Sequence, residues 1–210
     1  MNLGKLRQAE AVFLHRYPGG FDNPEIVSIR TKKHNVDKMI AFAQESFSER
    51  NFQLPDQVVQ NMVKVVSRSS IISVFEKPRF RDFANGLPSV RMRLLAGGLE
   101  ELLHRREPAG FETILDLLKS RNLAKWSLMT VCQTYYHPQR DVFVKPTTVK
   151  GIIEYFELKH LQYKPTPSWD FYDRYRSTFH EMKSKVDESL APSNVAFSWF
   201  LLLSFHGKVF

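Results

Sequence analysis

The chain has 210 residues, of which 43% are hydrophobic, 13% aromatic and 25% charged, enough to bury a core as one domain or as two small ones. Seventeen Phe, seven Tyr and three Trp, set against nine Gly and eleven Pro, exclude a disordered, collagenous or low-complexity chain. The formal net charge is +8, from 30 basic and 22 acidic residues, which favours polyanions such as nucleic acid as partners.

Leu3, Leu6, Ala9 and Phe13 predict a first helix that stops at Tyr17-Pro18-Gly19-Gly20, before a turn at Phe21-Asp22-Asn23-Pro24. Val36, Met39, Ile40, Ala43 and Phe47 form an apolar stripe of helical period and predict the next helix. Pro55 opens another, with Val58, Val59, Met62, Val63 and Val66 inward. Ser67 to Phe75 is rich in β-branched residues and reads as either a strand or a short buried helix. Asn85-Gly86 stops the chain and Pro88-Ser89 restarts it. The resulting helix has an apolar face of Val90, Leu94, Leu95, Gly98, Leu99, Leu102 and Leu103, opposite Arg93, Gly97, Glu100 and His104. Glu107-Pro108 opens a helix with Phe111, Ile114, Leu115 and Leu118 inward.

From Trp126 the pattern changes. Residues 128–144, with the turn-former His137-Pro138-Gln139-Arg140, suggest at most one short β-hairpin; the alternative is a helix over Trp126 to Thr134 followed by an extended arm. Pro146 starts a helix with Val149, Ile152, Ile153 and Phe156 in its stripe. Ser168 is a predicted N-cap for a long helix carrying Trp169, Tyr172, Tyr175, Phe179, Met182 and Val186. Pro192 starts the last helix, apolar nearly all round from Val195 to Phe205, which predicts a place in the middle of the bundle. The expected fold is therefore mainly α, a compact multi-helix bundle with at most one hairpin. A helical N-terminal lobe over 1–125 and a helical C-terminal lobe over 126–210 are expected to pack as one unit.

The single Cys132 allows no internal disulfide, and the N-terminal segment lacks the apolar core of a signal peptide, so a cytoplasmic, non-membrane protein is expected. Cys132 itself reads as a buried structural thiol. No nucleotide-binding glycine motif, GxSxG or His-Glu-x-x-His occurs, and no two of the seven histidines stand at i, i+4, so neither a cofactor nor a local metal motif is expected. Gly97-Gly98 reads as close helix packing. Asp141 followed by Glu157-Leu158-Lys159 fits the permissive D…(D/E)xK pattern, in which two carboxylates hold a divalent cation and a lysine orients water.

Trp126-Ser127-Leu128, Tyr136-His137-Pro138, Val142 to Thr148, Leu161 to Pro165 and Ala196-Phe197-Ser198-Trp199 together resemble a helical module of uncharacterised bacterial proteins. Such modules are sometimes found beside restriction-type or ATPase components of defence systems. The resemblance covers residues 126–205 and implies a fold and a context rather than a reaction. Where such modules carry an acidic residue ahead of the last helix, this chain has Ser193-Asn194.

Residues 151–210 are balanced at seven basic and seven acidic residues, so the positive excess sits in the first three quarters of the chain. Basic residues interleave with aromatics at Arg79-Phe80-Arg81, Lys145 to Lys150 and Tyr163-Lys164. The expected function is a non-enzymatic accessory module that binds nucleic acid through sequence-independent phosphate contacts. Its contact residues are Arg79, Arg81, Arg93, Arg105, Arg106, Lys145 and Lys150. The alternatives are a helical protein–protein adaptor and a metal-dependent nuclease built on Asp141, Glu157 and Lys159.

Overall fold

The computed structural model describes residues 1–33 and 36–206. Eleven α-helices follow one another among these residues: α1 Leu3–Arg16, α2 Pro24–Lys33, α3 Val36–Ser46, α4 Pro55–Arg68, α5 Glu76–Asn85, α6 Ser89–His104, α7 Glu107–Lys119, α8 Trp126–Tyr136, α9 Pro146–Tyr155, α10 Trp169–Lys183 and α11 Asn194–His206. No strand occurs among the described residues, so the fold is a multi-helix bundle, as the periodicities predict. No helix among them is long and apolar enough to cross a membrane.

Local chemistry accounts for most boundaries. Asn2 caps α1 by accepting from the Lys5 N–H at 3.1 Å, and Gly19 takes a φ of 81° just beyond the helix end. Pro55, Pro108 and Pro146 stand in first turns, where a missing N–H costs nothing. Ser168 caps α10, as predicted, by accepting from the Phe171 N–H. Helix α2 is absent from the sequence reading because it lacks an apolar stripe: over its first six residues only Ile26 is buried.

One core of buried side chains runs from Leu6 to Leu201. At its centre is α8, in which every residue from Trp126 to Tyr135 is buried, with α3, α4, α6 and α7 packed around it. Its threonines satisfy their hydroxyls on the preceding turn, Thr130 to Trp126 O at 2.8 Å and Thr134 to Thr130 O at 2.7 Å. The position predicted for the last helix is therefore held by α8. Helix α11 packs against α1 and α9, burying Phe197, Phe200 and Leu201, while Ser198, Trp199 and Leu202 stay partly exposed.

The hairpin over 128–144 does not form. Residues 128–136 belong to α8, and 141–145 run as an extended arm, the alternative the sequence left open. The arm needs no strand partner because its N–H groups are taken by side chains: Val142 donates to the Tyr172 hydroxyl at 3.2 Å and Val144 to Thr130 Oγ1 at 3.1 Å. Ser67 to Phe75 is neither strand nor buried helix. After α4 it is irregular, anchored where buried Ser69 bonds the Tyr135 hydroxyl at 2.9 Å, while Val74 and Phe75 reach solvent.

Helices α6 and α7 form an antiparallel pair whose closest approach is at two glycines. A Cβ on Gly110 would lie 2.3 Å from the Leu102 backbone nitrogen and 2.5 Å from Gly98 O, and one on Gly98 would lie 3.1 Å from Thr113 and Ile114 side-chain carbons. Gly98 thus has the packing role expected of it, whereas Gly97 has no neighbour in reach. The apolar face predicted for α6 is buried only from Leu95 onward. Val90 and Leu94 are exposed because they lie on the face of α6 turned away from the core, whereas Met92 in the same turns packs against it, and His104, assigned to the outer face, instead packs edge-on to Phe52 and Tyr136.

Gln133 is buried within α8, and neither its amide nitrogen nor its amide oxygen reaches a hydrogen-bond partner among the protein atoms. Two unpaired polar atoms in a core are costly, whereas Met has similar volume and no such requirement. Gln133→Met is expected to raise the unfolding free energy by about 1–2 kcal/mol in urea titration. A variant weaker than the parent would mean that the amide is satisfied and contributes to the fold.

Candidate functional site

The turn that ends α8 assembles the most heavily charged cluster in the interior. His137 closes the helix by donating its N–H to Gln133 O at 2.8 Å, and the Asp141 N–H returns to His137 O at 2.9 Å, which folds the Asp141 side chain beneath the turn. Its carboxylate has no solvent exposure. Tyr172 donates to Oδ1 at 3.2 Å and Arg176 at 3.0 Å, while His137 Nδ1 lies 3.0 Å and Arg140 Nη2 2.9 Å from Oδ2. Arg176 also reaches Glu107 on α7 and Asp173, and its guanidinium lies over the Trp169 and Tyr172 rings at 5.3 and 5.4 Å. Asn194 completes the cluster from the start of α11, donating its side-chain N–H to Asp141 O at 3.1 Å. The Ser193-Asn194 pair therefore supplies a donor for a backbone carbonyl where an acidic residue would have none.

Burial pushes the Asp141 carboxyl up, but the His137 hydrogen bond and the Arg140 charge outweigh it and hold the group below the usual carboxylate range. Burial, together with the charge of Asp141, keeps the Tyr172 phenol well above its ordinary value, so it stays a donor. Burial alone pushes the Cys132 thiol up to about 12, which makes it the inert interior thiol that the sequence suggests.

Both Asp141 oxygens carry two donors, which uses the acceptor capacity of a carboxylate and leaves no lone pair for a cation. Glu157 lies in a different place. It stands just past α9 with a φ of 56° and bonds Asn2 and Lys5 at the start of α1, both at 3.1 Å. Lys159 is exposed nearby in sequence, and no group of three His, Cys, Asp or Glu among the described residues is arranged to hold a metal. The Asp141, Glu157 and Lys159 pattern is thus not assembled. The His137–Asp141 pair fixes an imidazole orientation, yet among the described residues no hydroxyl or thiol bonds the other ring nitrogen. The cluster is a clasp joining α7, the end of α8, α10 and α11. His34 lies outside the described residues.

The seven basic residues singled out by sequence separate into two classes. Arg81 pairs with Asp82 at 2.9 Å, Arg105 with Glu100 at 2.8 Å and Arg106 with Glu101 at 3.0 Å, so their charges are largely spent on neighbours. Arg79, Arg93, Lys145 and Lys150 are exposed, with no carboxylate partner among the described residues. Arg79 flanks Phe80, which is core at 2% exposure. Lys145 precedes α9, whose first intrahelical bond is made by Val149, so the Thr147 and Thr148 N–H groups have no acceptor within the helix. Lys150, one turn on, places its ammonium 5.2 Å from the centre of the Tyr163 ring. That contact brings α9 against the Tyr163-Lys164 segment at Lys150. In comparisons with known proteins, no family model, no curated protein and no solved structure matches the chain.

Proposed function

We propose that this chain is a non-enzymatic accessory module that binds nucleic acid through sequence-independent phosphate contacts along α9 and the segment after it. The observation that carries this reading is the Lys150–Tyr163 contact, which sets a lysine against a partly exposed aromatic ring with the exposed Lys164 next to it in the chain. Lysines neutralise phosphates, the free N–H groups of Thr147 and Thr148 donate to another phosphate oxygen, and Tyr163 offers a ring on which an unpaired base can stack. Arg79 and Arg93 add positive charge elsewhere on the surface, whereas Arg81, Arg105 and Arg106 contribute less because each is already paired. The lone buried cysteine supports a cytoplasmic setting, and the resemblance of residues 126–205 to a helical module of uncharacterised bacterial proteins, sometimes found beside components of defence systems, supports an accessory role.

The test is a salt series of fluorescence-anisotropy titrations with labelled duplex and single-stranded DNA and RNA. Each phosphate contact contributes roughly 0.9 to the slope of log affinity against log salt on duplex, so replacing both Lys145 and Lys150 with Ala should reduce it by about 1.8. An unchanged slope would remove α9 from the interface, and absence of binding at low salt would defeat the reading.

A protein–protein adaptor is the second reading, favoured by a different observation. Val74 and Phe75 are 69% and 80% exposed in the loop before α5, and Val90 and Leu94 are 62% and 51% exposed on α6. Large apolar side chains held in solvent are the raw material of an interface core.

A further inference from the structure

A cavity of about 270 Å³ lies between the first turns of α9 and α11, and none of its lining residues is an Asp or a Glu. Lys145, which precedes α9, Thr148 of α9 and Ser193, which precedes α11, line it together with the hydroxyl-bearing Ser70 and Ser198. The rest of its lining is apolar, with Ile71, Phe143, Val195 and Leu202 in it. Two helices therefore begin at the same cavity, and their N-terminal dipole ends add to the one lysine charge. Lys145 has no carboxylate partner among the described residues, so that charge is available to an incoming group.

We propose that this cavity binds a small monocarboxylate with an apolar body, its anionic head at Lys145 and Thr148 and its body against Phe143 and Leu202. Charge complementarity selects the head: one cation, hydroxyl donors and no competing carboxylate. The apolar walls select the body, because a polar body would lose its hydration there without finding partners. The proposal can be separated from the nucleic-acid reading: Lys145 and Thr148 belong to both surfaces, whereas Lys150, Tyr163 and Lys164 do not line the cavity.

The test is calorimetric titration of the full chain with octanoate, with octanol and octylammonium as probes of the same body carrying no charge and the opposite charge. Octanoate is expected to bind saturably and at least tenfold more tightly than either. Lys145→Met should weaken octanoate at least tenfold and leave octanol unchanged. Lys150→Ala should leave octanoate unchanged while lowering nucleic-acid affinity, which separates the two readings. Ser198→Phe, which fills the cavity from α11, should abolish binding of octanoate, and a circular-dichroism melt matching the parent shows that the variant is folded. Equal affinities for octanoate and octanol, retained octanoate affinity in Lys145→Met, or no saturable heat with octanoate at millimolar concentration would each overturn the proposal.

Discussion

Asp141→Ala is expected to lower the unfolding free energy by about 3–5 kcal/mol, the loss typical when one partner of a buried ionic cluster is removed. For a chain of this length that corresponds to a fall in Tm on the order of ten degrees. The cause is less the lost attraction than what is left behind. Without the carboxylate, Arg176, only partly exposed, keeps Glu107 and Asp173 but loses a third acceptor, and the Tyr172 hydroxyl loses the acceptor it donates to. Asp141→Asn keeps the shape but offers an N–H to donors on one side, so most of the loss should remain. The same residue sets an acid limb. Its folded carboxyl lies below the ordinary value, so as pH falls the unfolded chain takes up the proton first. The contribution is full above about pH 4 and is lost as pH falls through the lowered folded value. Urea midpoints measured from neutral to acid pH should therefore converge for parent and Asp141→Ala. Equal midpoints at neutral pH would show that the cluster does not hold the helices together.

Gly110→Ala carries the second large effect. Alanine gains about 1 kcal/mol of helix propensity over glycine, so at an open helical site the substitution would stabilise. Here the added carbon would sit 2.3 Å from a backbone nitrogen and 2.5 Å from a backbone oxygen of α6, neither of which can rotate away. The two helices must separate, which also opens the contacts around Gly98. Forced overpacking of this kind costs about 3 kcal/mol, leaving a net loss of about 2 kcal/mol. Gly97→Ala, with nothing near its Cβ, is the matched control and should be neutral or stabilising. A Gly110→Ala protein as stable as the parent in a denaturant titration would contradict the closeness of this crossing.

The helices that could be read from the chain are those whose apolar stripes are complete, such as Val36 to Phe47 and Trp169 to Met182. They were legible because the 3.6-residue period records which face is buried without reference to any neighbour. Helix α2 was not, since over its first six residues Ile26 is the one buried side chain and leaves no period to read. Val90 and Leu94 show the reverse failure: they were read into the apolar stripe, but the face of α6 that packs on the core runs through Met92, Leu95 and Leu99. The segment from Leu128 to Val144 had the composition of a hairpin, and which structure it took depended on acceptors supplied by Thr130 and Tyr172. The sequence picked out Lys145, Lys150 and Tyr163, but not that Lys150 lies over the Tyr163 ring. It also singled out Asp141, though for the wrong partners. Glu107 and Arg176 were missed, because the only local signal was the Asp173–Arg176 spacing within α10.

By itself the sequence determined the helical class, most helix boundaries, the Ser168 cap and the positive balance of charge. Each depends on residue type and on neighbours within a turn or two, where spacing is set by backbone geometry. The tertiary structure decided which arginines were neutralised, that α8 rather than α11 is enclosed, that Asp141 is saturated by donors from α10 and the turn after α8, and that α9 and α11 begin at one cavity. Those outcomes join residues tens of positions apart, and a linear pattern carries no distance between them until packing brings them together.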